Sequence, residues 1–325
     1  MSTLRPSIAA MSTPHQRSAA PIPRVDVRRE DVCFTSAHQR CDGWLYRPQR
    51  GGTHPCVVMA HRIGGIRSAA LPEFARRFAA AGFAALTFDY RHLGTSEGSP
   101  RGLIDIGRQR ADLRAAVDYV CALDGIDSCR VALWGTSFGG GHVLATATAN
   151  PRIAAAIIQN PFVDGRAAAT VAMRAAGPRA TIELAWRALR DEANARCRRA
   201  PLYVDLAGEP GTVALMTTPD AVAGFEQIRP PDPIGWEPAV PARIVLQLRA
   251  DRPCKSASQI TCPLLVAVCD NDAIAPPAPA IRVARTAPRG QLRRYPIGHF
   301  DLFTGHWLAT VSTDQIAFLR SVLGN

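Results

Sequence analysis

From Pro55 the chain alternates two kinds of pattern. Short, dense apolar runs read as buried strands: HPCVVMA (54–60), FAALTFDY (83–90), RVALWG (130–135) and IAAAIIQN (153–160). Between them lie stretches of helical period. LPEFARRFAAAG (71–82) sets Leu71, Phe74, Ala75 and Phe78 on one face and stops at Gly82. Residues 103–123 are predicted helical, with Ile104, Ala111, Ala115 and Val117 turned inward, and residues 138–149 form a helix of small residues. This βαβαβαβ order predicts an α/β fold, a mainly parallel eight-stranded sheet with helices on both faces. VRREDVCFTS and DGWLYRP, ahead of it, predict a pair of strands forming an antiparallel edge.

The rhythm breaks after Asp164. Helical stretches at 167–175 and 180–196 give way to a Pro- and Gly-rich passage over 201–241 and a short helical segment at 241–249. The expected organisation is a flexible N-terminal extension (1–25), a core (26–163 and 261–325) and an inserted, mainly helical cap or lid (164–260). The alternation then resumes: CPLLVAVCDND (262–272) as strand, 279–286 as helix, QLRRYP (291–296) as strand and 307–323 as a closing helix.

With 325 residues, 47% of them hydrophobic, the chain can bury one large core. Its apolar runs fall far short of the roughly 20 residues of a membrane-spanning helix, so no span is expected. The N-terminal stretch lacks the apolar segment of about 7 to 15 residues found in a secretory signal, and Met11 is an alternative start. Nine scattered cysteines show no zinc-type spacing and sit mostly in apolar segments, which points to a reducing, cytoplasmic compartment. The net charge of +11 is spread along the chain, with Lys255 the sole lysine, so nucleic-acid binding is not expected. A homo-oligomer is left open by the sequence.

Chemistry enters at VALWGTSFGGG (131–141). Gly135-Thr136-Ser137-Phe138-Gly139 matches G-x-S-x-G and stands between a predicted strand and a predicted helix. A turn that tight needs glycine on both sides, and it pushes the serine hydroxyl outward. The hydroxyl needs a general base, and the base an orienting acid, which in this topology follow in the order acid, histidine. Asp272 begins the loop after LLVAVC and is preferred to Asp270, which belongs to the strand end; Asp164 is a further alternative acid. His299 follows QLRRYP and a glycine and is preferred to His306, while His142 is read as a packing or surface residue.

On these residues the chain resembles the α/β-hydrolase superfamily over about residues 28–325. AHRIGGIR, FDYRHLGTSEG, NPFVDG, CPLLVAVCDNDAIAPP and IGHFDLF stand where that superfamily carries its oxyanion, strand-end, acid and histidine loops. The likeness is greatest to bacterial and fungal esterases and peptidase-like hydrolases and to polyketide transferases and thiohydrolases of secondary metabolism. It implies Ser137 as nucleophile, His299 as base, Asp272 as orienting acid, and the N–H groups of Phe138 and Ile63 as the oxyanion hole. The implied reaction is hydrolysis of an ester or thioester of a small or medium acyl substrate. The alternatives are acyl transfer to an alcohol or amine, and a non-catalytic protein that binds a ligand on the same fold. No cofactor or metal is expected, because no HExxH, zinc spacing or dinucleotide glycine pattern is present.

One departure stands out. Arg62 occupies the position of a customary glycine in His61-Arg62-Ile63-Gly64-Gly65. Its side chain either points to solvent or turns its guanidinium into the pocket as a substrate-binding group. Trp236 is a second candidate for substrate contact, although aromatic residues of a cap more often form its own small core.

Overall fold

A computed structural model describes residues 27–230 and 233–324; the predicted N-terminal extension lies outside the described residues. Strands β1 (Arg28–Ser36) and β2 (Gln39–Arg47) pair in antiparallel register, Phe34 against Cys41, and form the edge anticipated from their sequence. The remaining strands of the main sheet are β3 (His54–Ala60), β4 (Ala84–Phe88), β5 (Ile126–Thr136), β6 (Ala155–Gln159), β10 (Leu264–Cys269) and β11 (Gly290–Tyr295). They lie in the order β1-β2-β4-β3-β5-β6-β10-β11, parallel from β4 onward.

The helices follow the predicted apolar faces, with shifted ends. In α1 (Leu71–Ala80), Leu71, Phe74, Ala75 and Phe78 are buried. Helix α2 (Ile106–Cys121) begins three residues later than its apolar pattern suggested, because the Asp105 carboxylate accepts the Arg108 N–H at 2.8 Å and caps it. Its inward face runs through Leu113, Ala116, Val117 and Val120, so of the anticipated inward residues on the helix only Val117 is fully buried. Helices α3 (Phe138–Ala149), α7 (Pro277–Thr286) and α8 (Gly305–Leu323) complete the flanking layers. Two apolar clusters fill the faces of the sheet, one around Phe74, Trp134 and Leu319, the other around Leu86, Leu133 and Val266. No helix among the described residues is long and apolar enough to cross a membrane.

Between β6 and β10 helices hold far more of the chain than strands, and a small sheet that the sequence pattern does not predict lies among them. Helix α4 (Gly165–Arg196) is two helices joined across Gly177, whose φ of 73° precedes Pro178, and this accounts for the two helical stretches in the sequence. There follows a three-stranded sheet, β8 (Ala214–Met216), β7 (Tyr203–Ala207) and β9 (Ala239–Pro241), in the order β8-β7-β9. Short helices α5 (Ala221–Gln227) and α6 (Ile244–Leu248) complete the insertion. Strands of three to five residues amid Pro and Gly carry too little alternation to be recognised from sequence.

One buried carboxylate holds the insertion together. Asp191 accepts hydrogen bonds from the Leu202 N–H (2.7 Å), the Arg243 N–H (3.0 Å) and the Arg243 Nε (2.7 Å), joining α4 to the segments before β7 and α6. Removing it would leave a largely buried guanidinium unpaired. Asp191→Ala is expected to cost about 3–5 kcal/mol by urea unfolding, whereas Asp118→Ala, at an exposed ion pair with Arg152, is expected to change stability by less than about 1 kcal/mol.

Candidate active site

Ser137 sits at the junction of β5 and α3 with φ 52° and ψ −119°, a strained conformation for a residue bearing a Cβ. Two close approaches explain the flanking glycines. A Cβ on Gly135 would lie 2.4 Å from the Gly139 carbonyl oxygen, and one on Gly139 would lie 2.3 Å from the Ala60 carbonyl oxygen. The start of α3 is thus pressed onto the end of β3, where the loop His61–Gly65 begins. Phe138 N–H is the first amide of α3 and has no acceptor within the helix.

The loops after β10 and β11 meet beside it. His299 Nδ1 and Asp272 Oδ2 are 2.6 Å apart, both side chains nearly fully buried. The carboxylate can only accept, so Nδ1 carries the hydrogen and Nε2 keeps its lone pair. The other oxygen of Asp272 accepts the Ile274 N–H (2.8 Å) and the Ala275 N–H (2.7 Å), which fixes the carboxylate in its own loop. Asp270 turns away and pairs with Arg294 at 2.8 Å. Asp164 is engaged elsewhere, capping α4 and holding Arg252 through Nε (3.0 Å) and Nη2 (2.8 Å). His306 is exposed and lies against Trp307.

Asn160, at the end of β6, escaped the sequence reading. Its side-chain oxygen accepts the Thr136 hydroxyl (2.9 Å) and the Ser137 N–H (3.3 Å), and its amide nitrogen donates to the His299 carbonyl oxygen at 2.9 Å. It therefore ties the serine turn to the histidine loop. The only signal in the sequence was a polar residue at the end of an apolar strand, which also describes an ordinary turn.

Ser137, Phe138 and Ile63 open onto an apolar cavity of about 280 Å³. Its far wall is the first half of α4, where Ala168, Ala172 and Ala176 recur at helical spacing, with Leu215 and Val245 from the rest of the insertion. Neither Arg62 nor Trp236 is among the residues lining it. Arg62 is buried rather than solvent-facing, with its guanidinium 4.7 Å from the Phe225 ring and Nη2 3.4 Å from the Ile228 carbonyl oxygen. Burial pushes its pKa down to about 10. Trp236 lines a separate, smaller cavity and donates from Nε1 to the Gly64 carbonyl oxygen at 2.8 Å.

Behind the turn lie two buried imidazoles. His142 donates from Nε2 to Gln109 Oε1 at 2.9 Å and packs edge-on against Phe138, so it is a packing residue. His61 Nδ1 lies 2.9 Å from the Arg62 carbonyl oxygen, and its ring meets Tyr90. Burial lowers the His61 pKa to about 4 and that of His142 well below the ordinary value.

Parallel sheet, strained serine and the paired histidine and aspartate at later strand ends define an α/β hydrolase. The chain belongs to the α/β-hydrolase family described as serine aminopeptidase, S33, whose family model matches residues 51–304. It is 42% identical to the quorum-quenching protein AidA of Acinetobacter baumannii (strain MDR-ZJ06), over 90% of this chain and 95% of that protein. It is 30% identical to the polyketide transferase grgF of Penicillium sp over 57% of this chain and 60% of that one. The crystal structure of the α/β hydrolase GrgF from Penicillium sp. sh18 matches with a TM-score of 0.78 at 23% identity, covering 92% of this chain and all of that one. Est1E from Butyrivibrio proteoclasticus, with ferulic acid bound, matches with a TM-score of 0.62 at 17% identity, covering 90% of this chain and all of that one.

Two outcomes are expected. Asn160→Ala should lower kcat by roughly 10- to 100-fold with little change in KM, since it loosens the reacting groups and not the cavity; steady-state kinetics with a soluble ester measures this. The second concerns pH. His61 stays neutral in the fold but gains a proton in the unfolded chain below its ordinary pKa, so its contribution is complete above about pH 6.5 and declines as pH falls toward 4. The loss from His61 should be on the order of 3 kcal/mol across that window, and His61→Gln should make the decline shallower in unfolding curves taken at several pH values, the slope that remains including that of buried His142.

Proposed function

We propose that this protein hydrolyses an ester or thioester of a small or medium acyl substrate through an acyl-Ser137 intermediate. The observation that carries the reading is the buried 2.6 Å contact of His299 with Asp272 in a fold that opens Ser137 onto an apolar cavity. His299 Nε2 takes the hydroxyl proton as Ser137 Oγ bonds to the acyl carbon. The N–H groups of Phe138 and Ile63 receive the negative charge on the acyl oxygen. The imidazolium, stabilised by Asp272, returns the proton to the departing alcohol or thiol. Water then repeats the sequence, its proton passing through His299 to Ser137 as the acid leaves.

The insertion (164–260) acts in this reading as the cap that supplies the acyl site. At about 280 Å³ the cavity is at the small end of ligand sites, which run roughly 300–1,000 Å³. The walls are mostly apolar and suit a hydrocarbon chain, with Arg249 the one charged residue among those lining the cavity. The relative named a polyketide transferase favours a second reading, in which an alcohol or amine replaces water in the second half-reaction.

A fluorophosphonate probe should label the wild type and leave Ser137→Ala unmodified. On p-nitrophenyl esters and acyl thioesters of graded chain length, Ser137→Ala and His299→Ala should each lose roughly 10⁴-fold or more in kcat. A folded wild type that neither labels nor turns over any of these would sink the reading, and product analysis with an added alcohol separates hydrolysis from transfer.

A further inference from the structure

Helix α4 beyond its kink has two apolar faces. The inner one carries Thr181 and Leu184 into the cavity and Ala188 into the core. The outer one repeats at Ile182, Trp186 and Leu189, spaced by four and three residues, and these are 70%, 51% and 61% exposed. Monomeric proteins rarely expose large apolar side chains in so regular a row. Met173 and Ala185 belong to both settings, since they are exposed and also line the cavity that holds Ser137. The row therefore runs up to the rim of that cavity.

Along the helix and just past its end, the exposed charge left unpaired has one sign. Arg174, Arg179, Arg190, Arg198 and Arg199 are exposed and make no ion pair among the described residues. The helix's half-buried acids are already paired, Glu183 with Arg187 at 2.8 Å and Glu192 with Arg196 at 3.0 Å. Arg190 lies 5.1 Å from the Trp186 ring, at the edge of the apolar row. By helical spacing Arg179 and Arg190 occupy the same flank of that row.

We propose that this face of α4 docks the protein on an anionic lipid surface. A row of Ile, Trp and Leu bordered by uncompensated arginines has the chemistry of a helix lying in a membrane interface, its apolar side chains among the acyl chains and its guanidinium groups at the phosphates. A second copy of the chain is a poor occupant, because face-to-face pairing would bring the unpaired arginines of both copies together. Docked in this way, the helix presents lipid on one side and the cavity of Ser137 on the other, so an acyl compound dissolved in the bilayer has a short route past Met173. The surface binding stands independently of the ester reading, and for that reason it is tested on a protein without the serine.

Ser137→Ala protein is sedimented with vesicles of phosphatidylcholine alone and of phosphatidylcholine mixed with phosphatidylglycerol. Binding should appear with the mixed vesicles and weaken at high salt, as screening shortens the reach of the arginines. Adding Arg179→Gln and Arg190→Gln should weaken it by about tenfold, and adding Ile182→Ser, Trp186→Ser and Leu189→Ser instead should abolish it. All five positions are exposed, and thermal unfolding checks that the variants fold. Failure to bind mixed vesicles, binding that survives the serine substitutions, or a dimer in light scattering that those substitutions dissolve would each overturn the proposal.

Discussion

The geometry of the site depends on one close approach, that of the first turn of α3 onto the end of β3. It is close enough that Gly139 faces the Ala60 carbonyl where any Cβ would collide. This holds Ser137 at φ 52°, a conformation that costs on the order of 1–3 kcal/mol and persists only where its surroundings enforce it. The same contact sets the Phe138 amide beside the loop that carries Ile63. The conformation of Ser137 and the placing of the Phe138 amide are therefore consequences of a single close contact that glycines permit.

A buried chain of hydrogen bonds supports that turn from below. Trp134 Nε1 donates to Gln315 (2.9 Å), Gln315 to Gln159 (2.7 Å), and Gln159 to the Thr136 hydroxyl (3.3 Å), which in turn donates to Asn160 (2.9 Å). The chain crosses from α8 through β5 and β6 to the His299 carbonyl. Its members are buried, so a gap would leave polar atoms with neither water nor protein partner, at about 1–3 kcal/mol each. That penalty makes the relative positions of strand ends and histidine loop discrete, with little intermediate slack.

Much of this was legible in the sequence, for identifiable reasons. Dense apolar runs mark β3 to β6 and β10 because both faces of a parallel sheet are covered, and G-x-S-x-G reads locally because the turn is local. Asp272 could be separated from Asp270 by its place past the strand end. Asn160, Gln159 and Gln315 could not be found in this way, since their partners lie far along the chain and nothing local distinguishes them from turn or surface amides. The small sheet of the insertion is not legible because β7, β8 and β9 are too short to show a period. Arg62 could not be placed because its surroundings, Phe225 and Ile228, come from that same unread segment.

Those same residues reveal a dependence between the insertion and the loop His61–Gly65. Leu206 of β7 packs where a Cβ on Gly64 would fall, Trp236 donates to the Gly64 carbonyl, and Phe225 covers the Arg62 guanidinium. Three separate segments of the insertion thus brace the four residues Arg62–Gly65. A glycine at position 62 could let the loop set its own turn; an arginine there needs an outside surface to cover its stem and accept from its nitrogens. The loop's shape is consequently a property of the core and the insertion together, so changes in the insertion alter the backbone that carries Ile63 as well as the walls of the cavity.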